Sequence, residues 1–214
     1  MRNAGGITHG YVFTSYGTRP IAEVKSDIDA YLTGHYAGFV DGVFFDEMSN
    51  DLANTGYYRE LADYVKSQQV GARTIGNPGT TFVINPSNQS TWSSSDFAAS
   101  LDTIATLENT AGEYLNNYTP PVYLDDKTAD GFAHIVHTLA NWDASFLQTA
   151  AARKAGFVYI SDDVMSNPYD QLPTYWNQFT SDLSAFNAVP EPTAAGLVFI
   201  SSLGIIAAPR RRRA

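Results

Sequence analysis

The stretch Gly42-Val43-Phe44-Phe45-Asp46-Glu47 runs from an apolar segment directly into two carboxylates. A short apolar run without polar alternation is typical of a strand that is covered on both faces, as in a parallel sheet. In α/β barrels, the residues that follow such strands form the active site, because it lies at the carboxyl ends of the strands. The stretch therefore indicates both a parallel α/β fold and the position of a functional site.

Five further segments share this β-rich, mostly continuous apolar character. They lie at residues 10–16, 72–77, 102–108, 133–138 and 156–162. Apolar residues at helical spacing lie between several of them, as in the stripe of Ile21, Val24 and Ile28 that follows Pro20. Six alternating βα units fit an open doubly wound sheet or part of a (β/α)₈ barrel. No Gly-x-Gly-x-x-Gly follows a strand, so nothing supports a dinucleotide-binding fold.

Length favours a barrel that is incomplete at its N-terminal end. A complete (β/α)₈ barrel takes about 250 residues, and residues 1–188 fall short of that by two βα units. The first nine residues, Met1-Arg2-Asn3-Ala4-Gly5-Gly6-Ile7-Thr8-His9, contain no apolar segment or cleavage site of a signal peptide. We therefore expect a TIM-type barrel domain over residues 1–188 with six of its eight units, and an upstream segment that this sequence does not include. Because an unclosed barrel exposes strand edges, we also expect this chain to be less stable than an extended form.

Charge restricts the class of partner. Residues 1–188 hold 9 Lys and Arg against 21 Asp and Glu, a net charge of −12, whereas the whole chain carries −9 because of four arginines at its end. An acidic surface repels phosphate backbones, so we expect no nucleic-acid partner. Neutral or cationic ligands, such as sugars and amino sugars, are compatible with this charge.

The C-terminal residues 189–214 form a separate unit. Val189-Pro190-Glu191-Pro192 precedes an apolar run at 194–208 and the basic cluster Arg210-Arg211-Arg212-Arg213. One interpretation is a marginal buried helix with a solvated tail, but nothing in the acidic domain explains four terminal arginines. The three-part order resembles the PEP-CTERM sorting signal. That resemblance implies export, retention in the inner membrane by a transmembrane helix, processing by an exosortase, and release to the cell surface or extracellular matrix.

Three carboxylates are the candidate catalytic residues: Asp46, Glu47 and Glu108. Adjacent strand residues point to opposite faces, so Asp46 and Glu47 both reach the barrel mouth only if the backbone turns there. The alternatives are that one of them caps the next helix or pairs with Arg73. Glu108 closes the strand at 102–108, with Ile104 and Thr106 expected on its face. A carboxylate pair across a barrel mouth suits glycoside hydrolysis, in which one acid protonates the leaving oxygen and the other acts as nucleophile or base.

Four other residues near strand ends are candidate substrate-binding residues: Tyr16, Arg19, Asn77 and Asp162. Further tyrosines, including Tyr11 and Tyr169, could stack on sugar faces, although packing in the core or rim is the more common role. We expect no metal or cofactor, because the chain has no cysteine and only four histidines. His134 and His137 are three residues apart on a predicted strand and would face opposite ways.

These motifs resemble spherulation-specific family 4, the spherulin 4-like proteins grouped with glycoside hydrolase family 135. The resemblance spans residues 5–177 and rests on the following segments, in this order: Gly10-Tyr11-Val12-x-Thr14-Ser15-Tyr16-Gly17-Thr18-Arg19-Pro20, Asp27-Ile28-Asp29-x-Tyr31, Gly42-Val43-Phe44-Phe45-Asp46-Glu47, Asn77-Pro78-Gly79, Phe132-Ala133-His134-Ile135-Val136-His137, Tyr159-Ile160-Ser161-Asp162-Asp163 and Asn167-Pro168-Tyr169-Asp170-x-Leu172-Pro173-x-Tyr175-Trp176.

The resemblance implies a (β/α)₈ barrel and endo-acting hydrolysis of α-1,4-linked N-acetylgalactosamine in a polysaccharide. It also implies that the family's acidic residues fall on Asp46, Glu47 and Glu108. The family begins with two further strands that this chain lacks. Two other functions stay open from the sequence: a non-catalytic glycan-binding surface or matrix protein, and an inactive fragment of the enzyme.

Overall fold

Strands and helices alternate along the chain, of which the computed structural model describes residues 6–81 and 92–188. The strands are β1 (His9–Phe13), β2 (Gly42–Asp46), β3 (Arg73–Gly76), β4 (Thr103–Thr110), β5 (Phe132–His137) and β6 (Phe157–Ile160). The helices are α1 (Ile21–Leu32), α2 (Thr55–Gln68), α3 (Ser94–Ala98), α4 (Ala111–Asn116), α5 (Ser145–Ala152) and α6 (Trp176–Asn187). All six predicted strands are confirmed, with ends that move by three residues or fewer.

The six strands form one parallel sheet in the order β1-β2-β3-β4-β5-β6. Right-handed crossovers that always step in the same direction place their helices on one face of the sheet. The order of a doubly wound sheet reverses at a switch point, whereas this order does not, which is the arrangement of a (β/α)₈ barrel. The predicted α/β barrel-type fold is confirmed. Among the described residues β1 and β6 each pair with one strand, so the sheet is not closed there.

The core lies between the sheet and the helices. Val12, Val43 and Phe45 of the first two strands are buried against Val24 and Ile28 of α1. Residues of α2 and α3 extend the same core: Tyr58, Leu61, Val65 and Phe97. β2 contributes every second residue, Val43 and Phe45, and α1 contributes one apolar stripe, so the sequence pattern accounts for this part of the layer.

The opposite face of β1 is open to solvent. Tyr11 and Phe13 alternate with buried Val12 and are 54% and 41% exposed. The expectation that every strand is covered on both faces is therefore wrong for β1. The reason is its place at the edge of the described sheet, where its second face has fewer neighbours.

A β-bulge in β4 changes which face Glu108 occupies. Ala105 pairs with Ala133 and Leu107 with His134, so Thr106 is an extra residue in the ladder. Ile104 belongs to the helix-side core, whereas Glu108 contacts residues on the other face. The prediction that Ile104, Thr106 and Glu108 share a face is wrong, because a bulge shifts the alternation by one residue.

The chain divides into two compact units, Met1–Tyr175 and Trp176–Ala214. The described part of the second unit consists mainly of α6, in which the Trp176 and Phe179 rings meet edge to face at 5.8 Å. The predicted sorting tail at 189–214 lies outside the described residues. None of the helices in the described ranges is long and apolar enough to span a bilayer.

A buried histidine joins β5 to α4. His134 is completely buried, and its two ring nitrogens hydrogen-bond the hydroxyls of Tyr114 at 2.9 Å and Tyr118 at 3.2 Å. The Arg153 guanidinium lies over the Tyr114 ring. Burial and, to a lesser extent, the charge of Arg153 lower the pKa of His134 from 6.5 to about 4. The folded protein therefore holds this imidazole neutral at physiological pH.

This histidine should make the stability of the protein depend on pH. The unfolded imidazole binds a proton near pH 6.5 and the folded one only near pH 4, so the unfolded state is favoured as pH falls. We expect His134 to remove about 2 kcal/mol from the free energy of unfolding between pH 7 and pH 5. His134→Gln, which retains hydrogen-bonding groups but does not titrate, should flatten this dependence in urea unfolding at both pH values.

Gln148→Asn provides the control, because it exchanges one non-titrating side chain for another at an exposed position. It should leave the pH dependence of unfolding as it is in the unaltered protein. Equal pH dependence in the unaltered protein and His134→Gln would show that the folded state does not hold His134 neutral.

Candidate active site

Asp46, Asn77 and Glu108 meet at the carboxyl edge of β2, β3 and β4. The Nδ2 group of Asn77 donates one hydrogen bond to Asp46 Oδ1 at 3.0 Å and another to Glu108 Oε2 at 2.7 Å. The two carboxylate oxygens therefore lie less than about 6 Å apart, the sum of two ordinary hydrogen bonds. The structure thus brings together two of the three predicted catalytic carboxylates, with a predicted substrate-binding residue between them.

The backbone fixes which way the Asn77 amide points. Its Oδ1 accepts a hydrogen bond from the Gly79 backbone N–H at 3.0 Å, so the Nδ2 group must face the carboxylates. The Asn77 backbone is held by the Phe45 carbonyl at 2.8 Å and by the Met48 N–H at 3.0 Å. Gly79 has a φ of +67°, which glycine adopts without strain, and its carbonyl accepts from the Glu108 N–H at 2.9 Å.

Two tyrosines that the sequence did not single out as site residues bind the outer oxygens. Tyr11 of β1 donates to Asp46 Oδ2 at 2.8 Å, and Tyr169 donates to Glu108 Oε1. Burial, followed by the hydrogen bond to Asp46, raises the pKa of Tyr11 to about 12. Burial, followed by the bond to Glu108, raises the pKa of Tyr169 as well. The alternation of β1, which places Tyr11 on the open face beside Asp46, was the signal in the sequence.

The carboxylate pair has neutral hydrogen-bond donors and, among the described residues, no ion-pair partner. An amide and two phenols are its side-chain partners, and over residues 6–81 and 92–188 no salt bridge reaches either carboxylate. Arg73, considered above as a partner for one of these acids, instead bonds Thr103 and lies 3.9 Å from Asp130. Two acidic groups are therefore held close together without a salt bridge from the described residues, which favours a ligand or transition state that carries positive charge.

Glu47 lies next to the pair but is not part of it. Its φ of +47° turns the backbone at the end of β2, and its side chain is exposed. Within the described ranges the Glu47 carboxylate makes no hydrogen bond or salt bridge, although its charge contributes to the raised pKa of Tyr11. Its carbonyl accepts from the Tyr16 N–H at 2.7 Å and from the buried Thr14 hydroxyl at 2.8 Å. A catalytic role for Glu47 stays a prediction.

The other predicted binding residues have different surroundings. Tyr16 is 63% exposed, with a φ of +55°, in the short 3₁₀ helix that follows β1. Arg19 is already paired: it contacts Asp27 at 2.6 Å and Glu23 at 3.6 Å, and lies over the Phe13 ring. Asp162 accepts hydrogen bonds from the backbone and hydroxyl of Thr174, which lower its pKa. Substrate binding by Tyr16, Arg19 and Asp162 stays a prediction. The ion pairs of Arg19 favour a structural role for this residue.

Two cavities adjoin the sheet. A cavity of about 160 Å³ beside Gly79 has a polar wall that includes Thr80, Thr81, Asn109 and Asn117. A larger one, of about 680 Å³, is lined by residues from the amino ends of β3 and β4. Its basic groups are occupied, since Lys127 donates to three backbone carbonyls and Lys66 pairs with Asp102. We assign the chemistry to the carboxyl edge, because that is where the acids converge.

Residues 2–183 match the family model of spherulation-specific family 4. The chain belongs to this family. It is 29% identical over 193 residues to Spherulin-4 of Physarum polycephalum, and the match covers 86% of the chain and 54% of that protein. The chain thus spans about half the length of this curated relative. The fold is similar to that of Aspergillus clavatus Sph3 in complex with GalNAc, with a TM-score of 0.67, 23% identity, and coverage of 83% of this chain and 72% of that one.

The Asn77 amide should be essential for holding the two acids together in this family member. Asn77→Asp replaces the shared donor with a third carboxylate, which should destabilise the fold by about 2 kcal/mol at pH 7 through repulsion and lost hydrogen bonds. The loss should shrink at pH 4, because the folded variant takes up a proton more readily than the unfolded chain. Urea unfolding at both pH values measures it.

Asn109→Asp is the matched control for this substitution. Asn109 is exposed, and its Oδ1 accepts the Thr110 N–H at 2.8 Å, a role that a carboxylate oxygen also fills. We expect little change in stability at either pH. Similar unfolding curves for the two variants would contradict a shared donor at Asn77.

Proposed function

We propose that this protein is a glycoside hydrolase that acts on an amino-sugar polysaccharide, with Asp46 and Glu108 as the reacting pair. The observation that carries the proposal is the sharing of one Asn77 amide by two carboxylates from separate strands. Membership of spherulation-specific family 4 and the fold shared with Sph3, which was solved with GalNAc, support a sugar as the ligand.

The electrostatics of the pair suit this chemistry. Glycosidic cleavage passes through an oxocarbenium-like transition state that develops positive charge on the sugar. Two carboxylates whose side-chain partners are neutral stabilise that charge more than a pair neutralised by an arginine. One of the two carboxyl groups, in its protonated form, is the acid: it gives its proton to the leaving oxygen while the bond to the anomeric carbon breaks, and the other group is ionised.

The spacing of the pair favours net retention of configuration. Retaining enzymes place their carboxyl groups about 5–5.5 Å apart, and inverting enzymes about 6.5–9.5 Å apart to admit a water. The shared amide holds the nearest oxygens of the two groups less than about 6 Å apart, and this close approach supports direct attack by one carboxylate on the anomeric carbon. Water then hydrolyses the glycosyl-enzyme ester, with the second carboxyl group acting as the base.

Charge and surface residues favour an amino sugar. The net charge of −12 over residues 1–188 repels anionic polysaccharides and tolerates neutral or cationic ones. Within this proposal Tyr16 offers an exposed ring for a sugar face, and Glu47 offers an exposed carboxylate next to Asp46 in the chain. Asp162 anchors the loop that carries Tyr169 through its hydrogen bonds to Thr174, and it acts through that loop.

For location, we propose export followed by exosortase processing at the inner membrane. The support is the order Pro190-Glu191-Pro192, apolar run and Arg210 to Arg213. Expression of the full gene product with and without residues 189–214 in a host that has an exosortase tests it. Equal distribution of both forms between membrane and medium would contradict it.

Hydrolysis of an α-1,4-linked N-acetylgalactosamine polysaccharide by the full-length protein is the direct test of activity. Asp46→Asn and Glu108→Gln should each lower kcat by about 10³-fold or more, because each removes a group that takes part in bond breaking. Glu60→Gln is the matched control, since Glu60 forms an exposed pair with Lys25 on the helical layer. It should leave kcat unchanged.

Product stereochemistry, followed by proton NMR, tests the retaining mechanism separately. Three results would contradict the proposal in different ways. Turnover that is unaffected in Glu108→Gln and Asp46→Asn removes the catalytic assignment. A product of inverted configuration contradicts attack by a carboxylate nucleophile but is consistent with Asp46 and Glu108 as the acid and the base. Glycan binding by the unaltered protein without turnover favours the glycan-binding function instead.

A further inference from the structure

The phenol groups of Tyr11 and Tyr169 complete the hydrogen bonding of the carboxylate pair. The inner oxygens of Asp46 and Glu108 accept from Asn77, and the outer oxygens accept from Tyr11 and Tyr169. Every oxygen of the two carboxylates thus has a donor, and neither carboxylate can rotate without breaking a bond. We infer that Tyr11 and Tyr169 are positioning residues that fix Asp46 and Glu108 for the proposed hydrolysis, an inference that rests on the proposed function.

Tyr11 is placed by the sheet. It stands opposite Phe44 in the β1–β2 register, and the two rings stack at 6.4 Å. Two residues further along both strands, on the same face, Phe13 and Asp46 are also paired. The Tyr11 hydroxyl therefore reaches Asp46 diagonally across one strand spacing, on a rigid element.

Tyr169 is placed by the loop between β6 and Tyr175. At the base of this loop Asp162 binds the backbone and hydroxyl of Thr174, which closes the segment on itself. The Tyr169 ring meets the Tyr159 ring edge to face at 6.0 Å, which directs its hydroxyl towards Glu108. Asp162, predicted to bind substrate, thereby supports Glu108 through Thr174 and Tyr169.

Both phenols remain protonated at every pH at which the enzyme would work. Burial raises the pKa of each tyrosine, and for Tyr11 the value is about 12. A phenol that keeps its proton always donates to the carboxylate. Donation to a carboxylate favours its ionised form, so loss of the phenol should shift carboxylate titration towards higher pH. A residue with a purely structural role would not change that titration.

The proposal predicts specific kinetics for Tyr169→Phe, which removes the hydroxyl and retains the ring. Because an orienting bond to a charged group is lost, kcat should fall about 10- to 100-fold with KM nearly unchanged. The limb of the pH–rate profile that reports Glu108 should also move to higher pH. This is the acidic limb if Glu108 acts as the base and the basic limb if it acts as the acid. Tyr11→Phe should produce the corresponding loss through Asp46.

Tyr64→Phe is the matched control. It removes a hydroxyl that donates to the Asp29 carboxylate at 2.8 Å, between α2 and α1 and away from the carboxylate pair. We expect kcat and the pH profile of Tyr64→Phe to stay close to those of the unaltered protein. Equal kcat and pH profiles in Tyr169→Phe and Tyr64→Phe would overturn the inference, whatever the thermal stability of the variants.

A measurement that does not depend on turnover separates this inference from the proposed function. Carbon-13 NMR of protein labelled at glutamate side chains follows the titration of Glu108, whose resonance is assigned by its loss in Glu108→Gln. The midpoint should be higher in Tyr169→Phe than in Tyr64→Phe or the unaltered protein. An identical midpoint overturns the inference. A shifted midpoint in a protein that hydrolyses no glycan supports the positioning and rejects the hydrolase.

Discussion

The shared amide of Asn77 is the interaction on which the rest of the site depends. Two carboxylates repel each other, and no cation in the described structure offsets that repulsion. The amide can hold both only because its own orientation is fixed by the Gly79 N–H and its backbone by Phe45 and Met48. The free energy that keeps the two acidic groups together therefore comes from the folding of three adjacent strands.

The β-bulge at Thr106 is the second requirement. Ile104 of β4 packs in the helix-side core, whereas Glu108, four residues later, lies on the opposite face. In a regular strand of period two, residues four positions apart lie on the same face. The extra residue also leaves Thr106 buried, with its hydroxyl 3.2 Å from that of Tyr118. The same irregularity that places Thr106 beside Tyr118 thus turns the carboxylate towards Asn77.

The sequence predicted the strands, the parallel sheet and the position of Asp46, Asn77 and Glu108 at strand ends, because these follow from local patterns. It predicted the wrong face for Glu108, since a bulge has no signature in residue order alone. Arg19 and Asp162 are candidate binding residues in the sequence because they lie near strand ends, but their partners depend on which segments meet in space. The hydrogen bond from Tyr169 to Glu108 joins residues 61 positions apart, and no periodicity within either segment indicates it.

The two halves of the pair are supported by different kinds of structure. Asp46 lies among strands, where Tyr11 is fixed by register and buried Thr14 and Tyr58 bind each other and the backbone that follows β2. Glu108 has the same support from Asn77, but its outer oxygen depends on a loop closed by Asp162 and Thr174. Loops change sequence and conformation more readily than buried strands. The Glu108 half is therefore where reactivity can be altered while the sheet, and with it the shared amide, stays the same.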